Sequence, residues 1–170
     1  MAIYFIANGA SPTTAAQVAV TTGTSIKTLL QVEPSATNPL IIVEWGISFD
    51  GSAAATPIKV ELLETDVAAT VTASAQADIV KFDAVGVAQT GNQTTNIIQI
   101  GTANTGYTST SEGSITATRM FDVQFIAPTN QYVKQFPLGR EPLIQVSKFA
   151  RIRVTAGAAV NAYCYMVCQA

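Results

Sequence analysis

The residues best equipped to do chemistry in this chain are carboxylates. Glu44 lies on one segment of alternating apolar and polar residues, and Glu61 and Glu64 lie on the next. Glu44 facing Glu61 across a hairpin, or Glu61 beside Glu64, would supply the paired carboxylates that general acid–base hydrolysis of a glycoside requires. Asp50, Glu61, Glu64 and Asp66 would supply the oxygen ligands that calcium takes. Neither pattern is specific. The four acids lack the spacing of a calcium loop, and acids on the polar face of a strand are ordinarily solvated or paired with lysine.

Other chemistries fail for want of parts. The 170 residues contain no histidine and two cysteines. A Ser/His/Asp triad and a Cys/His pair are therefore impossible, and a lone C-x3-C is inadequate for zinc. No phosphate-cradling glycine loop or dinucleotide fingerprint occurs. We expect no catalytic residue, no metal site and no cofactor. Cys164 and Cys168 sit about 13 Å apart on one face of a strand, at ~3.3 Å per residue. That is too far for a disulfide, whose α-carbons approach within about 7 Å, so both should pack as small apolar groups, which fits synthesis in a reducing cytoplasm. Asn92-Gln93-Thr94 matches a glycosylation acceptor but reads as an ordinary loop. Trp45, the only tryptophan, reads as core packing; a sugar-stacking platform is the alternative.

Composition points toward assembly. Charged residues make up 12% of the chain, about half the usual share of roughly 25%. Apolar surface must then be hidden in a large core or between subunits. The net charge is −2, which does not favour direct nucleic-acid binding. Charge is also uneven: residues 1–118 carry three lysines against nine acids, and residues 119–170 carry six basic residues against Asp122 and Glu141. Acidic and basic surfaces on separate parts of the subunit are one reading, scattered solvated loops the other. MAIYFIANG lacks the basic start of a secretory leader, and no apolar run is long enough for a membrane span, so no membrane contact is expected.

The elements that must position these residues are strands. Val43, Trp45, Ile47 and Phe49 alternate with Glu44, Gly46, Ser48 and Asp50, and Asp50-Gly51-Ser52 is turn chemistry. Ile58 to Leu62 alternates likewise, and an antiparallel pairing with the preceding strand is the simplest closure. Ile115 to Ile126 sets Phe121, Val123 and Phe125 against Thr116, Thr118, Asp122 and Gln124. A short strand spans Tyr132 to Phe136, and residues 137–140 form a turn. Ile144, Val146, Ala150, Ile152 and Val154 share a face, with Arg151 and Arg153 opposite. The last strand puts Ala162, Cys164, Met166 and Cys168 inward and Tyr163 and Tyr165 outward. Ile3 to Ala7, Gln17 to Thr21 and Ser25 to Val32 also read as strands. Residues 1–15 are a possible N-terminal arm. Val67 to Ala77 is an edge strand or, around Ala73 to Phe82, a helical turn or two. Residues 86–113 form a long loop region with one strand. The whole predicts one all-β domain over residues 1–170, an antiparallel β-sandwich of jelly-roll type with about eight to ten strands.

Two tyrosines opposite the Cys/Met stripe imply that both faces of the last strand are at least partly covered, by a loop or by another subunit. Arg151 and Arg153 face the same general direction if the intervening turn keeps register. Arginine and tyrosine dominate interface hot spots, so Arg151, Arg153, Tyr163 and Tyr165 are the candidate interface, with a solvated basic face as the alternative for the arginines.

The segments IIVEWGISFDG (41–51), PIKVELLET (57–65), EGSITATRMFDVQFIAPTNQYVKQFPLGREP (112–142) and KFARIRVTAGAAVNAYCYMV (148–167) resemble small structural proteins of tailed bacteriophages, the capsid decoration or cement proteins. The resemblance implies a β-sandwich, made in the host cytoplasm, that binds the outside of a phage head and stabilises the capsid. Its partners would be the major capsid protein and itself, as a homotrimer or dimer. A tail or head–tail connector component and a carbohydrate-binding β-sandwich are the alternative readings.

Overall fold

Alternation at period two builds strands, and the computed structural model, which describes residues 2–51, 56–82 and 97–170, contains fourteen of them. In chain order they are β1 (Ile3–Ala7), β2 (Val20–Thr21), β3 (Lys27–Pro34), β4 (Leu40–Asp50), β5 (Ile58–Thr65), β6 (Thr70–Ala73) and β7 (Ile79–Lys81). There follow β8 (Ile98–Gln99), β9 (Gly106–Ser111), β10 (Thr118–Ile126), β11 (Gln131–Gln135), β12 (Leu143–Ile144), β13 (Phe149–Thr155) and β14 (Asn161–Gln169). A 3-10 turn, Gln76–Asp78, precedes β7.

The strands form two antiparallel sheets packed face to face, a β-sandwich. The first runs β11-β4-β14-β1-β7, with β12 on β4 and β2 on β14. The second runs β10-β5-β13-β3-β9-β6, with β8 on β3. β4 and β5 do not form the hairpin expected from their shared alternation. They lie in different sheets, and β5 pairs with β10 and β13 instead. Each carries an apolar row, Trp45-Ile47-Phe49 on one and Ile58-Val60-Leu62 on the other. Placing the strands in opposite sheets points both rows into one core. β1 is no free arm: it is hydrogen-bonded between β14 and β7. Within 97–113 the chain forms two strands, β8 and β9, where one was expected; residues 83–96, with Asn92-Gln93-Thr94, lie outside the described residues.

The core takes Tyr4 and Ile6 from β1, Trp45 and Ile47 from β4, and Cys164, Met166 and Cys168 from β14. Leu30, Val32, Leu62, Ile152 and Val154 face them from the second sheet. Both cysteines are buried free thiols, and burial pushes both pKa values up.

Two bulges change which residues face out. β4 shifts register against β14 between Ile42 and Glu44. The extra residue, Val43, therefore joins Glu44 on the outer groove instead of following Trp45 inward. β10 shifts against β5 between Met120 and Asp122. Phe121 consequently packs against the core, while Val123 and Phe125 are exposed. A bulge sets two residues against one and flips the alternation beyond it, which period-two reading cannot anticipate.

Candidate functional site: the outer faces of the sandwich

The four residues singled out as an interface do not share a surface. β13 belongs to the second sheet and β14 to the first, and the chain crosses between sheets from one to the other. Arg151 and Arg153 therefore point away from one outer face, and Tyr163 and Tyr165 away from the opposite one.

The second sheet's outer face is largely covered by the chain itself. Arg151 is 0% exposed. Its Nη1 donates to the Glu112 carbonyl at 3.1 Å and to Glu112 Oε2 at 3.2 Å, and its Nη2 donates to the Val67 carbonyl. The Glu112 carboxylate also accepts from Thr28 N, Thr28 Oγ1 and Ser109 Oγ, each at 2.6 Å. Burial tends to raise the Glu112 pKa, but these bonds and the Arg151 charge outweigh it and hold the carboxyl below its ordinary range. Burial draws Arg151 down to about 10, so it remains a cation at neutral pH. Arg151 is thus an internal strut that ties two connecting segments onto β13. Arg153 donates Nε to Glu61 Oε2 at 2.9 Å, and Lys59 reaches the other Glu61 oxygen at 2.6 Å.

At the β10 edge this sheet does present apolar surface. Met120, Val123 and Phe125 are exposed, Phe125 by 73%. The residues between them turn inward. Asp122 accepts from the Tyr132 hydroxyl at 3.1 Å, from Gln124 Nε2 at 2.9 Å and from Lys134 at 3.1 Å. Tyr132 and Lys134 come from β11, so this polar cluster closes the sandwich's side between the two sheets.

The first sheet's outer face is a different surface. Gly46 on β4 stands opposite Tyr165 on β14. A Cβ at Gly46 would fall 2.6 Å from Tyr165 Cε1, so the glycine is what lets the tyrosine ring lie flat across the strand. Tyr165 then stacks on Phe5, with centroids 5.2 Å apart, and Phe5 on Phe82, 6.2 Å apart. The aromatic row crosses β14, β1 and the end of β7. Ile3, Val43 and Val167 line the same shallow groove, with Glu44 and Gln135 at its polar end. Ile3, Val80, Phe82 and Val133 remain exposed on or beside it, Phe82 by 59%. Glu44 Oε1 accepts the Tyr165 hydroxyl at 2.6 Å, and among the described residues no cation pairs with this carboxylate. Burial and the Glu44 charge push the Tyr165 pKa up, so the phenol stays a donor. Tyr163 lies outside this row, donating to Gln17 Oε1 at 2.8 Å.

The carboxylates do not assemble a reaction centre among the described residues. Glu44 and Glu61 sit in opposite sheets. Glu64 is held by Arg119, Nε at 2.7 Å, and by the Gln145 N–H at 3.0 Å. Asp66 accepts from the N–H groups of Thr116 at 3.1 Å and Ala117 at 3.0 Å, and its pKa falls to about 2 chiefly through the Thr116 hydroxyl bond. Each of these acids clamps a neighbouring segment. Trp45 is fully buried against Tyr132, which removes it as a sugar platform.

No family model, curated protein or solved structure matches this chain.

Of the surface groups, the reading of the sequence found Tyr165 and missed Phe5, Phe82 and Val43. The signal for Phe5 was present. In Ile3-Tyr4-Phe5-Ile6 both faces are apolar, which implies cover on both sides of the strand, as the twin tyrosines did for β14.

Proposed function

We propose that this chain is a virion structural protein, a decoration or cement subunit that adheres to the outer surface of a tailed-phage head. The observation that carries the reading is a sandwich whose buried acids are held by its own side chains and backbone, yet which exposes apolar patches on both outer faces. One is the Phe82-Phe5-Tyr165 groove and the other is the Met120-Val123-Phe125 stripe. Contiguous exposed apolar area of this kind marks an interaction surface. Two separate patches suit a subunit that must hold a neighbour and a shell at once. The segments at 41–51, 57–65, 112–142 and 148–167 that resemble phage decoration proteins supply the class of shell.

The physical role is adhesion without chemistry. A shell pressurised by packaged DNA fails at the joints between capsomers. A rigid subunit that binds only the assembled shell stabilises it by mass action, and contacts repeated over many symmetric sites add up. Adding the purified chain to expanded heads that lack it should raise their resistance to heat. Heads that do not bind it would overturn this reading, and co-purification with tails alone would replace it with a tail component.

A further inference from the structure

We propose that the groove on the first sheet receives the turn at residues 137–140 of a second copy of this chain. This goes beyond adhesion to a shell, because it names a contact between copies that forms in solution.

The two halves of the contact are complementary. The turn is closed by the Arg140 N–H donating to the Pro137 carbonyl at 2.9 Å, and Gly139 holds φ +81°. Glycine in that conformation after a proline-led start is what a tight, stiff turn requires. At its tip Leu138 is 97% exposed. A leucine so placed has no role in its own core. Arg140 is also exposed, and its guanidinium has no partner among the described residues. The turn thus offers one apolar knob and, two residues on, one free cation.

The groove offers the reverse. Phe5, Phe82, Ile3 and Val167 form an apolar floor, and Glu44 at one end is a carboxylate with no paired cation among the described residues. Leu138 seated on the phenylalanines places Arg140 toward Glu44, where its guanidinium also meets the Tyr165 ring. Arginine beside both a carboxylate and an aromatic face is a strong pairing once water is excluded. The turn begins just after Gln135, which lines the groove, so knob and groove lie next to each other on one subunit. Copies joined this way use unlike surfaces, and such a contact closes into a ring when the rotation between copies permits.

The test is a charge exchange read by sedimentation equilibrium of the full chain, with far-UV circular dichroism as the check on folding. The wild type should associate above the mass of one chain. Arg140→Glu and Glu44→Arg should each weaken association at least about tenfold, in line with measured couplings of close interfacial charges. The double variant should recover most of the loss, and Leu138→Asp should abolish association. Arg140 and Leu138 are exposed, so their variants test the contact even if Glu44→Arg disturbs the fold. A wild type that stays monomeric overturns the proposal, as does association indifferent to Arg140→Glu and Leu138→Asp. So does a folded double variant that recovers nothing. Head binding by a monomeric chain would spare the proposed function while removing this contact.

Discussion

Removing the Glu112 carboxylate should destabilise the subunit far more than an ordinary surface substitution. In Glu112→Ala, Arg151 stays fully buried but loses the one carboxylate that pairs with it among the described residues, keeping the Glu112 and Val67 carbonyls. Thr28 Oγ1 and Ser109 Oγ lose their acceptor as well. Breaking a buried pair from one side costs about 3–5 kcal/mol. The retained carbonyls and the partial exposure of Glu112, 21% of its side chain, place the expectation near ~3 kcal/mol by the same reasoning. Urea unfolding at neutral pH measures it. Arg151→Met should cost less, about 1–2 kcal/mol, because Glu112 keeps neutral donors and some solvent. The double variant should cost clearly less than the two singles together, because the uncompensated charge is gone. The pH dependence has a fixed sign. Glu112 has a folded pKa below its ordinary 4.5, so its contribution is complete above 4.5 and is lost as pH falls through the folded value. The gap between wild type and Glu112→Ala should therefore narrow in acid. A loss under about 1 kcal/mol at neutral pH, or additive singles, would refute the buried-strut argument.

Gly46→Ala should displace the Tyr165 ring, since the new Cβ would sit 2.6 Å from Cε1; a loss of about 1–3 kcal/mol in thermal or urea unfolding is expected, and an unchanged stability would contradict the close packing. Trp45→Ala should cost about 3–5 kcal/mol as a core truncation, and an unchanged melting temperature would disprove its placement. Cys164 and Cys168 should resist a water-soluble thiol reagent in the native state and react fully in urea, because both are buried with raised pKa values; rapid native labelling would show that the core opens.

Alternation carried the fold a long way. The inward rows Trp45-Ile47-Phe49 and Ala162-Cys164-Met166-Cys168 are where their spacing puts them, because the side-chain period of a strand is geometric. Strand partnership was not legible in the same way. The alternation of 43–50 and 58–62 is satisfied equally by a hairpin and by two sheets facing one another, and only the whole core decides between them. Bulges were hidden for a related reason: nothing local at Val43 or Phe121 announces an extra residue, and the cost of a wrong face appears only when the partner strand is in place. The interface reading failed at Arg151 because burial of an arginine depends on a distant acid, Glu112, and on the Val67 carbonyl. The outward placement of Tyr165 was legible because its position alternates with the buried Cys164-Met166 stripe whatever the topology.

The most direct measurement is a density map of expanded phage heads incubated with the purified chain. Sandwich-shaped subunits should stand on the outer surface, with Met120, Val123 and Phe125 against the shell and the Phe5-Phe82-Tyr165 groove occupied by a neighbouring copy. Bare heads, or bound subunits with both patches turned to solvent, would contradict the account.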